Sequence, residues 1–176
     1  MLQLNKLLAR GAGLSRVLLA RAATVELDWD VRQKSRFAAT DSMGRELAVF
    51  LARGQAVRGG DVLVAQDGSL VRVIAAPQKV LRITWCPRHG APFDLMRAAY
   101  HLGNRHVPIE LQPDHLKIEP DHVLAAMLRD MHMTVCECDQ PFEPEGGAYG
   151  GHAAHGGHHH HGHAHDHGHA PGSAAP

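Results

Sequence analysis

The chain has 176 residues, and its 18 basic and 18 acidic side chains cancel to a formal net charge of zero with histidine neutral. That balance supplies no basic field for nucleic acid and no acidic field for a cationic partner, and no apolar run reaches the roughly 20 residues that a membrane helix needs. Three cysteines, Cys86, Cys136 and Cys138, suggest no disulfide framework and fit a reducing cytoplasm.

The N-terminal stretch carries Lys6, Arg10, Arg16 and Arg21 with no acid before Glu26, which superficially suits an organelle transit peptide. It breaks at Gly11-Ala12-Gly13 and lacks the serine enrichment of such peptides. Its Leu and Val content reads instead as two strands, Leu2 to Leu8 and Val17 to Leu27, separated by a glycine turn.

Short strands with turns between them continue to residue 75. "RFAAT" meets the turn "DSMGR", "ELAVFLA" follows, and after "RGGD" come "VLVAQ" and "SLVRVIAA" around Asp67-Gly68. Asp-Gly between two apolar runs predicts a hairpin, because glycine accepts the positive φ that the turn demands. Regularly spaced strands of this kind predict a small all-β domain over residues 1–76, with Pro77 at its boundary.

From residue 77 the pattern changes. "KVLRITWC" predicts a strand with Leu81, Ile83 and Trp85 on one face, and Leu95, Ala98, Ala99 and Leu102 make the stripe of an amphipathic helix. Gly103-Asn104 supplies a left-handed stop. "HVPIELQ" predicts a strand with Val107, Ile109 and Leu111 on one face, and "HLKIE" predicts its return. Asp121 caps a second helix with Val123, Leu124, Met127, Leu128 and Met131 inward, and "MTVCEC" closes the set. The order βαββαβ is the ferredoxin-like motif, so residues 77–140 read as a second domain and the whole as α+β. "PFEPEGGAYGG" reads as a Pro/Gly linker opening a tail over residues 141–176.

Ten of the eighteen residues from His152 to His169 are histidine: His152, His155, His158, His159, His160, His161, His163, His165, His167 and His169. The longest run is four, and Gly, Ala and Asp166 are interleaved, a pattern unlike the unbroken run of a cloning tag. Imidazole suits zinc, copper, iron and nickel, and it is largely neutral at cellular pH. With no large apolar residue to form a core, such a tail is expected to be disordered until an ion organises it. Elsewhere, His106 follows the first helix stop and His122 sits in the first turn of the second helix, on a polar face with Ala125 and Arg129. His101 complements a helix C-terminus, and no role falls to His89, His115 or His132. Cys136 and Cys138 share a strand face, an arrangement open to a soft ion or to two structural thiols.

"AYHLGNRHVPIEL", "DHVLAAMLRDM", "PFEPEGGAYG" and the His-rich terminus together resemble the UreE family of urease accessory proteins, which are nickel metallochaperones. The resemblance extends to "RQKSRFAATDSMGRELAVFLARG" and "GGDVLVAQDG" in the first half. It implies a cytoplasmic homodimer joined through the ferredoxin-like domain, with a first domain similar to a chaperone peptide-binding fold. It also implies Ni(II) as the cargo, with Zn(II) or Cu(II) accepted in vitro. By the same resemblance His106 meets its symmetry mate around one ion and His122 is a peripheral ligand. A family member with a His-x-His pair there has its first histidine where this chain has Pro120, which leaves the peripheral site one ligand short. The implied partners are the urease accessory GTPase and the apo-urease accessory complex.

The expected function is therefore capture of Ni(II) and its delivery for urease maturation. The alternative is a nickel or zinc storage buffer working mainly through the tail. An enzyme is not expected: the chain has no His-Glu-x-x-His, Gly-x-Ser-x-Gly or Gly-x-x-x-x-Gly-Lys motif, and "WCPRH" places Cys86 near His89 without further support for a nucleophile.

Overall fold

The computed structural model describes residues 1–146. The ten tail histidines, His152 to His169, and the expected disorder of that segment lie outside the described residues.

Two sheets with a few helices give mixed α/β content. The first sheet is barrel-like and has six strands: β1 (Leu2–Leu8), β2 (Ala23–Leu27), β3 (Arg36–Thr40), β4 (Glu46–Phe50), β5 (Val62–Ala65) and β6 (Leu70–Ala75), in the order β2-β6-β5-β1-β4-β3. β1 runs parallel to β4 and β2 parallel to β6, while the other neighbours are antiparallel. Alternate residues point inward and close a core of Leu4, Val25, Leu47, Val49, Leu63 and Val71, among others. Asp41 shapes the β3–β4 turn by accepting the N–H groups of Met43 and Arg45 at 2.9 and 3.0 Å. Gly68, at φ 84°, sits in the tight turn between β5 and β6.

This first half is not all β, as its sequence had suggested. Val17 to Leu27 is not one strand: α1 (Arg16–Arg21) precedes β2, and a second short helix, α2 (Trp29–Arg32), follows it. Ser15 accepts the Leu18 N–H at 3.4 Å as the α1 N-cap, and a Leu-Leu-Ala-Arg run is a good helix former. The apolar content misled because α1 buries none of its residues. Leu19 packs over Gly11, whose φ of 66° favours glycine and where a Cβ would also come within 2.6 Å of the leucine methyl.

The second sheet contains β7 (Pro77–Trp85), β8 (Glu110–Leu111), β9 (Leu116–Ile118) and β10 (Met133–Pro141), ordered β10-β7-β9-β8 and antiparallel throughout. α3 (Phe93–Gly103) connects β7 to β8, and α4 (His122–Asp130) connects β9 to β10. Leu95, Ala98 and Leu102 of α3 and Ala125 and Leu128 of α4 pack on Leu81, Ile83, Leu116 and Ile118.

Two expected faces differ. Leu111 is exposed and Glu110 is buried, because the strand there is only two residues long and starts after Ile109. Glu110 pairs in register with Lys117 on β9, and their side chains meet at 2.8 Å inside the fold. In α4 the inward position belongs to Ala125, while Val123 is 62% exposed. Apolar residues surround more than half of this helix, so their spacing does not fix its rotation.

Residues 141–146, read as the start of a linker, instead bind both halves. Phe142 is fully buried between Trp29 and Val80. The fully buried Arg32 donates to Glu143 Oε1 at 2.7 Å, to the Phe142 carbonyl at 2.6 Å and to the Leu27 carbonyl at 2.9 Å. Glu143 also accepts the Gly59 N–H at 2.8 Å, and its own N–H donates to Glu110 at 2.7 Å.

Candidate functional site

His106 owes its position to the way α3 ends. The Val107 N–H reaches the Leu102 carbonyl at 3.3 Å and the His106 N–H reaches the Gly103 carbonyl at 2.9 Å. These are the two bonds of a Schellman motif, whose central residue must be left-handed. That residue is His106, at φ 57°. The stop expected at Gly103-Asn104 thus falls two residues later, since Asn104 keeps a right-handed φ of −62°. Val107 packs back on the core beside Leu102, as the motif requires. A histidine thus stands where glycine is usual, with its side chain exposed to solvent.

Farther back along α3 the outer surface is apolar. Phe93, Met96 and Tyr100, three and four residues apart on α3, are 54%, 60% and 67% exposed. Their spacing makes one stripe that ends a turn and a half before His106. A groove of about 430 Å³ runs between this helix and Leu111 of β8 with Pro113 of the turn that follows. Arg105 turns away from the histidine and donates to the His101 carbonyl at 2.9 Å. His101 is exposed and edges against Tyr100, with ring centroids 5.5 Å apart.

His122 is exposed on the same side as Arg129, whereas Ala125, expected beside them, is buried. With Ala125 turned into the core, His122 opens on a cleft of about 300 Å³ shared with Leu81, Pro120, Asp121, Arg129 and Glu137. Asp121 is committed as the helix cap, one oxygen accepting the N–H groups of Val123 and Leu124 at 2.8 and 2.9 Å. Pro120 contributes no donor atom on that rim. The structure does not bring His122 together with His106, and among the described residues no three His, Cys, Asp or Glu side chains converge as an ion requires. Cys136 is exposed, whereas Cys138 is half-buried against the Trp29–Phe142 cluster.

Sequence reasoning missed the buried polar framework below this surface. Burial opposes ionisation of Glu110, but hydrogen bonds from Lys117, the Glu143 N–H and Gln112 outweigh it and hold its carboxyl below the usual glutamate range. A glutamate and a lysine seven residues apart across a Pro-Asp turn were the available signal.

A small fold of mixed α/β content that presents exposed histidines and an apolar stripe to solvent has the surface of a protein that works through partners or ligands. The UreE urease accessory protein N-terminal domain matches residues 4–76, and the C-terminal domain of the same family matches residues 78–169. The urease accessory protein UreE of Paracidovorax citrulli is 78% identical over 154 residues, covering 86% of this chain and 73% of the relative. That of Methylibium petroleiphilum is 75% identical over 154 residues, covering 88% and 71%. The one from Burkholderia lata is 53% identical over 148 residues, covering 84% and 70%. The chain belongs to the UreE family of urease accessory proteins. Its role lies in urease maturation, and it is an accessory protein rather than an enzyme. No helix among the described residues is long and apolar enough to cross a membrane.

Proposed function

We propose that this protein captures Ni(II) in the cytoplasm and delivers it to the urease maturation complex, working with the urease accessory GTPase. The observation that carries this reading is His106, left-handed at the end of α3 beside the exposed stripe of Phe93, Met96 and Tyr100. One imidazole holds a divalent ion weakly, but a two-fold axis doubles every ligand without further sequence. The stripe gives a second copy an apolar surface to bury, and the same axis then brings His106 to its symmetry mate. Such a site is shallow and favours handing the ion on over keeping it.

In this reading residues 1–76 form a partner-binding domain and residues 77–140 a ferredoxin-like domain that carries the dimer contact. Their βαββαβ order and antiparallel β10-β7-β9-β8 sheet support that description. The histidines from His152 to His169 collect ions and pass them inward by ligand exchange. His122, facing a cleft with Pro120 on its rim, is a weak peripheral ligand. Zn(II) and Cu(II) bind the same donors in vitro, because imidazole does not discriminate strongly among them.

The test is urease activation at limiting nickel. His106→Ala should abolish most of it while leaving total bound nickel nearly unchanged, and Arg105→Ala should retain it. Met96→Glu, a charge on the stripe, should give a monomer by mass and fail in the same way. Normal activation by His106→Ala alongside failure of a tail-less chain would make the tail the working site and the protein a nickel or zinc buffer.

A further inference from the structure

Three more ligand-type side chains, close to one another though not converged, lie at the end of the β7–β10 ladder, and the nickel reading uses none of them. The ladder's last pair is Trp85 opposite Met133, so Cys86 leaves one strand where His132 enters the other. After Cys86 the chain turns sharply, with the Cys86 carbonyl accepting the N–H groups of His89 and Gly90 at 3.3 and 2.8 Å. That turn carries the His89 ring back until Nδ1 lies 3.5 Å from Cys86 Sγ. On the facing strand His132 is left-handed at φ 61°, and its ring centroid lies 6.1 Å from that of His89. Both imidazoles are exposed and the thiol is half-buried, so an ion has open access.

The distances can be compared with those around an ion. Zinc bonds of about 2.3 Å to sulfur and about 2.0–2.1 Å to nitrogen, at a tetrahedral angle, separate S and N by about 3.6 Å. Cys86 and His89 already stand at 3.5 Å. Two imidazoles on one such ion have centroids about 5 Å apart, so His132 has about 1 Å to close. In this structure the trio does not converge on a single point. A side-chain rotation of an exposed residue covers that distance at little cost.

We propose that Cys86, His89 and His132 form a separate cation site for a thiophilic divalent ion, Zn(II) above all, with its fourth position open to water. On binding, the Cys86 thiol gives its proton to solvent as the S–metal bond forms, and each neutral imidazole donates one lone pair. One thiolate among imidazoles makes this a softer donor set than the all-imidazole tail. A bound ion ties the turn before α3 to the turn after α4. Neither His106 nor the tail takes part.

The experiment measures alkylation of Cys86 by iodoacetamide in the full chain carrying Cys136→Ser and Cys138→Ser, with and without Zn(II) added beyond the capacity of the tail. Zn(II) should slow alkylation by at least about tenfold. His89→Ala should remove most of that protection. So should His132→Asn, which keeps a residue tolerant of left-handed backbone while removing the imidazole. Absence of protection in the parent chain overturns the proposal. Undiminished protection in both histidine variants overturns it too, since other histidines would then be supplying the ligands.

Discussion

At the scale of single residues the left-handed histidine offers the sharpest separation of stability from function. A non-glycine residue in that region costs about 1–2 kcal/mol, and glycine there removes the cost. Glycine also loses about 0.5–1 kcal/mol more than alanine through chain entropy on folding. The first effect wins, so His106→Gly should raise the unfolding free energy by about 0.5–1 kcal/mol. His106→Ala keeps a Cβ, stays strained and should be nearly neutral. Both variants should lose urease activation equally. Urea denaturation of the two, beside an activation assay, checks this; a destabilised His106→Gly would mean that the imidazole holds the turn through contacts of its own. None of this strain was visible in the sequence, where Gly103-Asn104 offered the better-known stop two residues earlier. The turn is decided by where Val107 can reach the core, which is a tertiary matter.

Among the secondary elements, the parts that could be read in advance were those whose signal is local. The Asp67-Gly68 turn, the Asp121 cap and the Leu95, Ala98 and Leu102 stripe each depend on neighbours within a few residues. The rotation of α4 and the length of β8 depend on what lies across the fold, and pattern alone did not supply them; α1 was missed although its Ser15 cap and helix-forming run are local. β8 shows the consequence. Glu110 and Lys117 are 7% and 8% exposed in their side chains and bridge β8 to β9. Removing one partner of a buried pair leaves an uncompensated charge and costs about 3–5 kcal/mol. Glu110→Gln, which keeps shape and some hydrogen bonding, should cost about 2–3 kcal/mol. The pair also sets a pH dependence. The folded carboxyl titrates below its usual value near 4.5, so its contribution is fully present above that value and is lost as pH falls through the lower, folded one. Denaturation midpoints should therefore decline below about pH 4.5, and less steeply in Glu110→Gln. Parallel slopes for the two proteins would assign the acid sensitivity elsewhere.

Across the whole molecule, the segment just after β10 joins the two sheets. Phe142 and Glu143 close the junction between the sheets around Arg32, whose planar fork satisfies two carbonyls and a carboxylate together. Arg32→Lys keeps the charge but not the fork, and should lose a large part of the roughly 3–5 kcal/mol that breaking such a buried pair costs. A chemical-denaturation curve that moved by less than about 1 kcal/mol would show the junction to be held by Trp29 and Phe142 alone. Among the described residues the core clusters draw their members from Leu2 to Phe142. The ten histidines that follow lie outside the described residues, and the proposal made for them rests on composition alone. Removing residues from Gly151 onward should therefore leave the unfolding midpoint unchanged and lower nickel stoichiometry by about two ions per chain, at four to six ligands for each ion. Protons compete for every imidazole, with an ordinary pKa near 6.5. The ions lost on truncation should accordingly be those whose binding falls most steeply between about pH 7 and 5.5, and calorimetric titration of both chains across that range measures it. If truncation lowered the unfolding midpoint together with the stoichiometry, the tail would be part of the folded body.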